Sequence, residues 1–407
     1  MSEPLPLGVS GEARPKARMP ARPGSDAPTD ARERASSADD GAPVDGRRRV
    51  AFVIEALTVG GAEQMLVGLA NRCRELGWDV HVICLTAPGE LASRLSERIE
   101  VHVLDKRPRI DPFLPSRLRR LVRRLRPHAI NSHLWVANFW TRASLVGIDV
   151  PVIASEHSRD SWKPPLYRVL DRCLAPFTHT LVAVSEDTAR FYRHEIGIDD
   201  ALIRVINNGV DTARYADCDG RALRARWAPE GQRLIGTVGR LVTAKNQARL
   251  LDMMARLVAG GLDDVRLVIV GDGPERAALE RRVDALGLAG QVTLAGQRDD
   301  VPDALAAFDV FVLSSDREGH PLTALEAQSA GTPVVLTDVG GSADAVARDG
   351  EERGGFLVER DAAALADAVR RLADDPDLRA RMAAFARRHA LANFDQEHMV
   401  ERYVALL

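Results

Sequence analysis

The sequence predicts an α/β fold in which two doubly wound, largely parallel sheets follow one another. Three observations predict it. Short β-branched runs alternate with amphipathic stretches, as strands joined by covering helices do. The alternation occurs as two series, divided by a Gly- and Pro-containing stretch at about 212–232. At 407 residues the chain is also longer than one core of ordinary size requires.

Taken in order, residues 1–48 are rich in Pro, Arg, Ser, Asp and Gly and lack aliphatic periodicity. Such a segment buries too little apolar surface to offset the entropy of ordering, so a disordered tail is expected. Order begins at Arg49 with RVAFVIEAL, followed by Gly60-Gly61 and a helix-period segment from Ala62 to Leu76. The strand–turn–helix unit then recurs through VHVICL, VHVL, HAINSHL, VPVIASEH and HTLVAVS, which puts a first domain at 49–212. RLIGTVGRL, VRLVIVGDGP, VTLAGQ, DVFVLSS and TPVVLTDVGG supply the strands of a second, at 213–391. Helices are expected at about 377–391 and 395–407. In sheets of this kind ligands bind beyond the carboxyl ends of the strands, so the expected site is a cleft between the two domains.

Composition narrows the function. A net charge of -3 gives no overall field for nucleic acid, so an anion site has to be built locally. Cys73, Cys84, Cys173 and Cys218 are scattered and form no C-x-x-C pair, which speaks against zinc and a disulfide framework and for a reduced, cytoplasmic setting. No window reaches the 18 or more apolar residues of a membrane span. A basic amphipathic segment, Ser116–Arg126, carries six arginines beside the stripe Leu118, Leu121, Val122 and Leu125. It reads either as a sheet-covering helix with a solvated face or as a contact with anionic lipid at the inner face of the membrane.

The chemistry is concentrated in a few loops. After DVFVLSS, the run Ser315-Asp316-Arg317-Glu318-Gly319-His320-Pro321-Leu322 leads into a helix, with Pro321 suited to its first position and Glu326 in its second turn. Two carboxylates so placed can face one polyhydroxy ligand. After RLIGTV, Arg240 and Lys245 stand five residues apart, as fixed cations for negative charge developing on a departing diphosphate. Gly60-Gly61-Ala62-Glu63 lets backbone approach a ligand at a helix N-terminus. Neither it nor Gly271-Asp272-Gly273-Pro274 completes G-x-G-x-x-G, which disfavours a dinucleotide-dependent dehydrogenase.

Glu318 and Glu326 in this spacing, with EG-x-P between them and EAQSAGTPVV after them, resemble the retaining glycosyltransferases of family 4 (group 1), and the resemblance runs from about 50 to 407. It implies the GT-B architecture, two Rossmann-like domains facing across a cleft, with a last helix at about 392–407 packing back on the first domain. It implies that Arg240 and Lys245 hold the donor diphosphate, that Glu318 serves the transferred sugar, and that Glu326 grips the ribose hydroxyls. Gly319, His320, Pro321 and Leu322 would complete the donor site, with Gly60 and Gly61 across the cleft. Arg298, in Gly296-Gln297-Arg298-Asp299-Asp300, falls in the base-contacting loop. His157 matches a histidine beside the donor sugar and phosphates, where it would donate to the leaving phosphate. His133 and Asn138 are candidates for the acceptor side, although His128 and Asn131 stand where the family often has Asp and His.

The implied reaction moves a sugar from a UDP- or GDP-linked donor to a glycan, lipid-linked or small-molecule acceptor, without a metal ion or other cofactor. It suits synthesis of cell-surface polysaccharide or glycoconjugate. A nucleotide-sugar epimerase on the same fold is the alternative enzyme. A non-catalytic nucleotide-binding partner subunit is the alternative from another class.

Overall fold

The computed structural model describes residues 47–159 and 164–407; the expected tail therefore lies outside the described residues except for Arg47 and Arg48. The chain forms two wound sheets. In the first, β1 (Arg49–Ala56), β2 (Asp79–Ala87), β3 (Glu100–Val103), β4 (Ala129–His133), β5 (Val152–Glu156), β6 (Thr180–Ala183) and β7 (Ile203–Val205) lie in the order β3-β2-β1-β4-β5-β6-β7, every pair parallel. Its helices are α1 (Gly61–Glu75), α2 (Leu114–Leu125), α3 (Trp135–Leu145), α4 (Pro165–Leu174) and the short α5 (Glu186–Arg190).

After α6 (Arg221–Trp227) the second series begins. It comprises β8 (Arg233–Val238), α7 (Gln247–Ala259), β9 (Val265–Val270), α8 (Arg276–Ala285), β10 (Val292–Gly296), α9 (Val301–Ala307), β11 (Val310–Leu313), α10 (Leu322–Ser329) and β12 (Val334–Thr337). A small antiparallel pair, β13 (Arg348–Asp349) and β14 (Glu352–Arg353), precedes β15 (Gly355–Val358), and α11 (Ala362–Asp374), α12 (Pro376–Asn393) and α13 (Gln396–Val404) end the chain. The sheet order is β10-β9-β8-β11-β12-β15. Besides the small antiparallel pair, two strands of the wound sheets go beyond the sequence expectation. β7 and β15 are three and four residues long, too short for a periodicity to declare itself.

The central strands feed a core on both faces, as parallel sheets require. In β1, Val50, Phe52 and Ile54 pack with α1, while Ala51 and Val53 pack with Leu114, Leu118, Leu121, Val122 and Leu125 of α2. The apolar stripe of the basic helix is thus spent on the sheet, each buried leucine contributing about 1.5–3 kcal/mol. Two of its arginines are also used by the fold. Arg117 donates to Asp111 at 2.6 Å and Arg119 to the carbonyls of Ser144 and Val146 at 2.9 and 3.0 Å. Arg120, Arg123, Arg124 and Arg126 remain exposed. Among the described residues no helix is long and apolar enough to cross a membrane.

The last helix returns to the first sheet. Met399, Val400 and Tyr403 of α13 are buried in the same core as Phe52 and Leu66. Its entry is fixed by the chain beyond β7, where Val210 donates to the Phe394 carbonyl and accepts from Gln396, both at 2.9 Å. Asp395 caps α13 by accepting from the Glu397 amide, and its side chain also takes the Thr212 hydroxyl.

Candidate active site

In each sheet the strand order reverses once, between β1 and β4 in the first and between β8 and β11 in the second. Loops leaving the carboxyl ends on either side of such a switch part to leave a crevice. The residues expected to carry chemistry stand there: Gly60 and Gly61 after β1, His157 after β5, Arg240 and Lys245 after β8, and Glu318 after β11.

The two sets of loops touch. The Glu186 amide donates to Asp344 at 2.8 Å, and Asn208 Nδ2 donates to the His320 carbonyl at 3.0 Å. Gly61 faces Leu322, and Gly319 sits so tightly against His157 that a Cβ there would come within 1.7 Å of the His157 carbonyl oxygen. Beside this contact a cavity of about 220 Å³ is lined by Ser158 and Arg159 from one side and Ala244, Arg317, Glu318, Gly319 and Gly340 from the other.

Glu318 and Lys245 form one unit. Lys245 Nζ donates to Glu318 Oε1 at 2.6 Å, and the Ser315 hydroxyl donates to the same oxygen at 2.5 Å. The loop that carries Glu318 is pinned from below. Asp316 accepts from Arg249 at 2.7 Å and from Asn246 at 3.0 Å, while Thr337 Oγ1 donates to the Ser315 carbonyl at 2.7 Å. Asn246 takes a left-handed conformation, φ 45°, to end the Lys245 turn and cap α7. Arg240 is exposed and, among the described residues, forms no ion pair; its charge acts on Glu63.

At the α1 N-terminus a Cβ on Gly60 would meet only the Glu63 carboxylate, at 2.3 Å, the free end of a flexible side chain that can move aside. Glu63 lies at that helix start, where burial pushes its carboxyl up while its own backbone N–H and the Thr58 hydroxyl pull it down.

His157 belongs to a chain of hydrogen bonds that settles its protonation. Asn131 Nδ2 donates to the Ile153 carbonyl at 3.1 Å and to Ser155 Oγ at 2.9 Å, so Asn131 Oδ1 has to accept from His133 Nε2–H at 2.7 Å. His133 Nδ1 then holds a lone pair and accepts from His157 Nε2–H at 3.1 Å. His157 Nδ1 is left as an acceptor. In this arrangement the neutral ring has no free N–H for the donation to the leaving phosphate that the resemblance implies, because the Nε2 proton is already used. Tyr403 of α13 closes the chain, its hydroxyl lying 3.2 Å from Ser155 Oγ.

His133 and Asn138 do not line an acceptor surface. Both are fully buried, His133 among the Phe52, His157 and Tyr403 rings. His133 positions His157, and Asn138 donates to the Ser155 carbonyl at 3.0 Å and to Glu156 at 2.8 Å. Arg298 is likewise engaged, forking onto Asp300 at 2.6 and 2.5 Å with its guanidinium over the Trp227 ring. Its side chain is spent on the loop's own shape, which leaves backbone for ligands. Pro321 caps α10 one residue before the position expected, and Leu322 is the first helical residue.

Tyr215 and Arg214 were missed by the sequence reading. Burial pushes the Glu326 carboxyl up, while the Tyr215 hydroxyl hydrogen-bonded to it and the Arg214 charge pull it down. The available signal was an aromatic and a cation together in NNGVDTARY, immediately beyond the first sheet. In the sequence Gly340 and Gly341 read only as the end of the TPVVLTDVGG strand. A Cβ on Gly340, φ 54°, would meet the Glu318 carbonyl at 1.9 Å, and one on Gly341 would meet the Gly319 carbonyl at 1.7 Å.

Three imidazoles at this interface are held neutral. Burial lowers His157 to about 4 and His320 to about 4, and it takes His133 well below its ordinary value, with the His157 ring adding to the effect. Below the ordinary value of 6.5 the unfolded chain takes up protons that the folded chain does not, so stability falls as pH drops from about 6.5 toward about 4. Glu63 and Glu326, raised by burial, work in the opposite direction. The melting temperature is therefore expected to decline across this window, and less steeply in His320→Gln. Equal slopes for the two proteins, measured by calorimetry, would refute the assignment for His320.

Two family profiles match the chain, Glycosyltransferase Family 4 over residues 59–214 and Glycosyl transferases group 1 over residues 221–389. A GDP-mannose-dependent alpha-mannosyltransferase of Mycobacterium tuberculosis is 31% identical over 73% of this chain and 81% of its own length. An N-acetyl-alpha-D-glucosaminyl L-malate synthase of Bacillus anthracis is 25% identical over 85% of this chain and 93% of its own. Among solved structures, Anabaena HepE in complex with UDP superposes with a TM-score of 0.77 at 23% identity, over 88% of this chain and 98% of that one. The fold, the matched profiles and the mannosyltransferase's likeness agree: this chain belongs to the group 1, family 4 glycosyltransferases and has their GT-B fold.

Proposed function

We propose that the chain transfers a hexose, with retention of anomeric configuration, from a GDP- or UDP-linked donor to a hydroxyl of a sugar, lipid-linked or small-molecule acceptor. The observation that carries the reading is the Lys245–Glu318 pair at the carboxyl ends of β8 and β11, beside Arg240. In this reading the diphosphate lies against Arg240 and Lys245, and Glu326, oriented by Tyr215, receives the ribose hydroxyls. His157 Nδ1 accepts from a sugar hydroxyl. The bond from C1 to the β-phosphate oxygen breaks as the acceptor oxygen bonds to C1 on the same face. The electron pair leaves with the nucleoside diphosphate, whose phosphate takes the acceptor's proton. The two cations stabilise the charge that grows there, and closure of the cleft keeps water from replacing the acceptor.

GDP-mannose and UDP-glucose are the first donors to test, because a relative is named for the one and HepE was crystallised with the other. A ligand bound only by the folded protein raises its melting temperature, by about 2.7 kcal/mol of stability at a hundredfold excess over Kd. One nucleotide base is expected to give this shift, and Glu326→Ala to remove it. No shift with guanosine, uridine or adenosine diphosphates or their sugar conjugates, in a folded sample, would favour a non-catalytic partner subunit instead.

A further inference from the structure

A second cluster of chemically capable side chains lies away from the crevice, on the β2–β3 edge of the first sheet. β3 is the edge strand and has four residues. It pairs with β2 in parallel, His81 opposite Glu100 and Ile83 opposite His102. Alternation along a strand puts Glu100 and His102 on one face, and this register sets His81 on the same face beside them.

The three side chains converge. His81 Nδ1 lies 3.1 Å from His102 Nε2 and 3.5 Å from Glu100 Oε2, and His102 Nε2 lies 3.6 Å from that oxygen. A tetrahedral zinc ion with bonds of about 2.0–2.1 Å separates its ligand atoms by about 3.3–3.4 Å. The three measured separations bracket that value. They therefore describe one face of such a tetrahedron, with its remaining corner available to water on the exposed Glu100 side.

The other nitrogen of His81 supports the same reading. His81 is 6% exposed, and its Nε2 is buried without a hydrogen-bond partner, facing Asp79 Oδ1 at 3.5 Å. A carboxylate behind the distal nitrogen of a ligating histidine is the usual support of a metal-bound imidazole, fixing the tautomer that leaves Nδ1 free to bind. Asp79 is itself held by Arg49, and Arg124 is the nearby cation that acts on His102.

We propose that His81, Glu100 and His102 bind one divalent cation of the zinc type, which fastens the edge strand β3 to β2. The role is structural. His81 is the third residue of β2, toward the amino end of the strand, whereas the transfer site lies beyond the carboxyl ends. A clamp also addresses a weakness of the fold, because a short edge strand pairs on one side only.

The test is calorimetric titration of the full chain with zinc after treatment with chelator, alongside cobalt absorption to report tetrahedral geometry. We expect one equivalent of zinc to bind in the micromolar range or tighter and to raise the melting temperature. We expect at least a tenfold loss of affinity in His102→Gln and in Glu100→Gln. Glu100 is exposed, so its variant is expected to fold, and zinc-free melting curves verify that. Transfer activity should be unchanged in Glu100→Gln. Absence of binding at millimolar zinc would overturn the site. So would one equivalent bound with unaltered affinity in both variants, which would place the ion on other groups such as the Cys173 thiol.

Discussion

Lys245→Met is expected to lower kcat by about 10²–10³-fold while leaving the melting temperature nearly unchanged. The ammonium is the cation nearest the centre of the proposed donor site, 2.6 Å from Glu318. Its contribution should grow as the donor bond breaks, because negative charge then accumulates on the phosphate. An interaction stronger in the transition state than in the ground state appears in kcat rather than in KM alone. Methionine keeps an apolar stem of similar length and removes only the charge. The fold should tolerate it, since the turn at Thr243–Lys245 is held by backbone and by the Asn246 cap. Glu318 would retain the Ser315 hydroxyl. Steady-state kinetics with the donor found by thermal shift decides the matter. A kcat within threefold of the parent would remove Lys245 from the reaction, and a rise in KM alone would reduce it to a binding residue.

The parts legible in the sequence are those fixed by near neighbours along the chain. Strand periodicity located β1, β8 and β11, and topology then places the residues just past a strand's carboxyl end, so the position of Arg240, Lys245 and Glu318 at the crevice is legible in the sequence, whereas their proposed roles rest on the resemblance. The misreadings share a different cause. His133 and Asn138 look available in NSHLWVAN, but β4 is a central strand with helices on both faces, and that burial depends on elements distant in sequence. The Tyr215–Glu326 contact joins a turn to a helix more than a hundred residues later. The histidine pair on β2 and β3 is hidden for a further reason. A slip of one residue in strand register would turn one partner to the opposite face, and nothing local specifies that register.

Gly319→Ala is the second substitution with a large expected effect, about 10²-fold or more in transfer, by displacement rather than by loss of a charge. Its Cβ would stand 1.7 Å from the His157 carbonyl oxygen, and backbone cannot yield as a flexible side chain can. Gly341 blocks retreat in the other direction, because the Gly319 carbonyl is already as close to it as the absence of a side chain allows. The loop must therefore shift, carrying Glu318 away from Lys245, or the two sets of strand-end loops must part. Either outcome spoils the alignment of C1, the phosphate and the acceptor, and parting also admits water. The buried cores lie elsewhere, in the sheets and their covering helices, so the protein should remain folded. The discriminating measurement compares transfer with donor hydrolysis in the variant. Loss of transfer with hydrolysis retained or increased would indicate parted loops, and loss of both would indicate a displaced Glu318. A kcat/KM within threefold of the parent, with an unchanged melting temperature, would show that the contact between Gly319 and His157 has no part in the reaction.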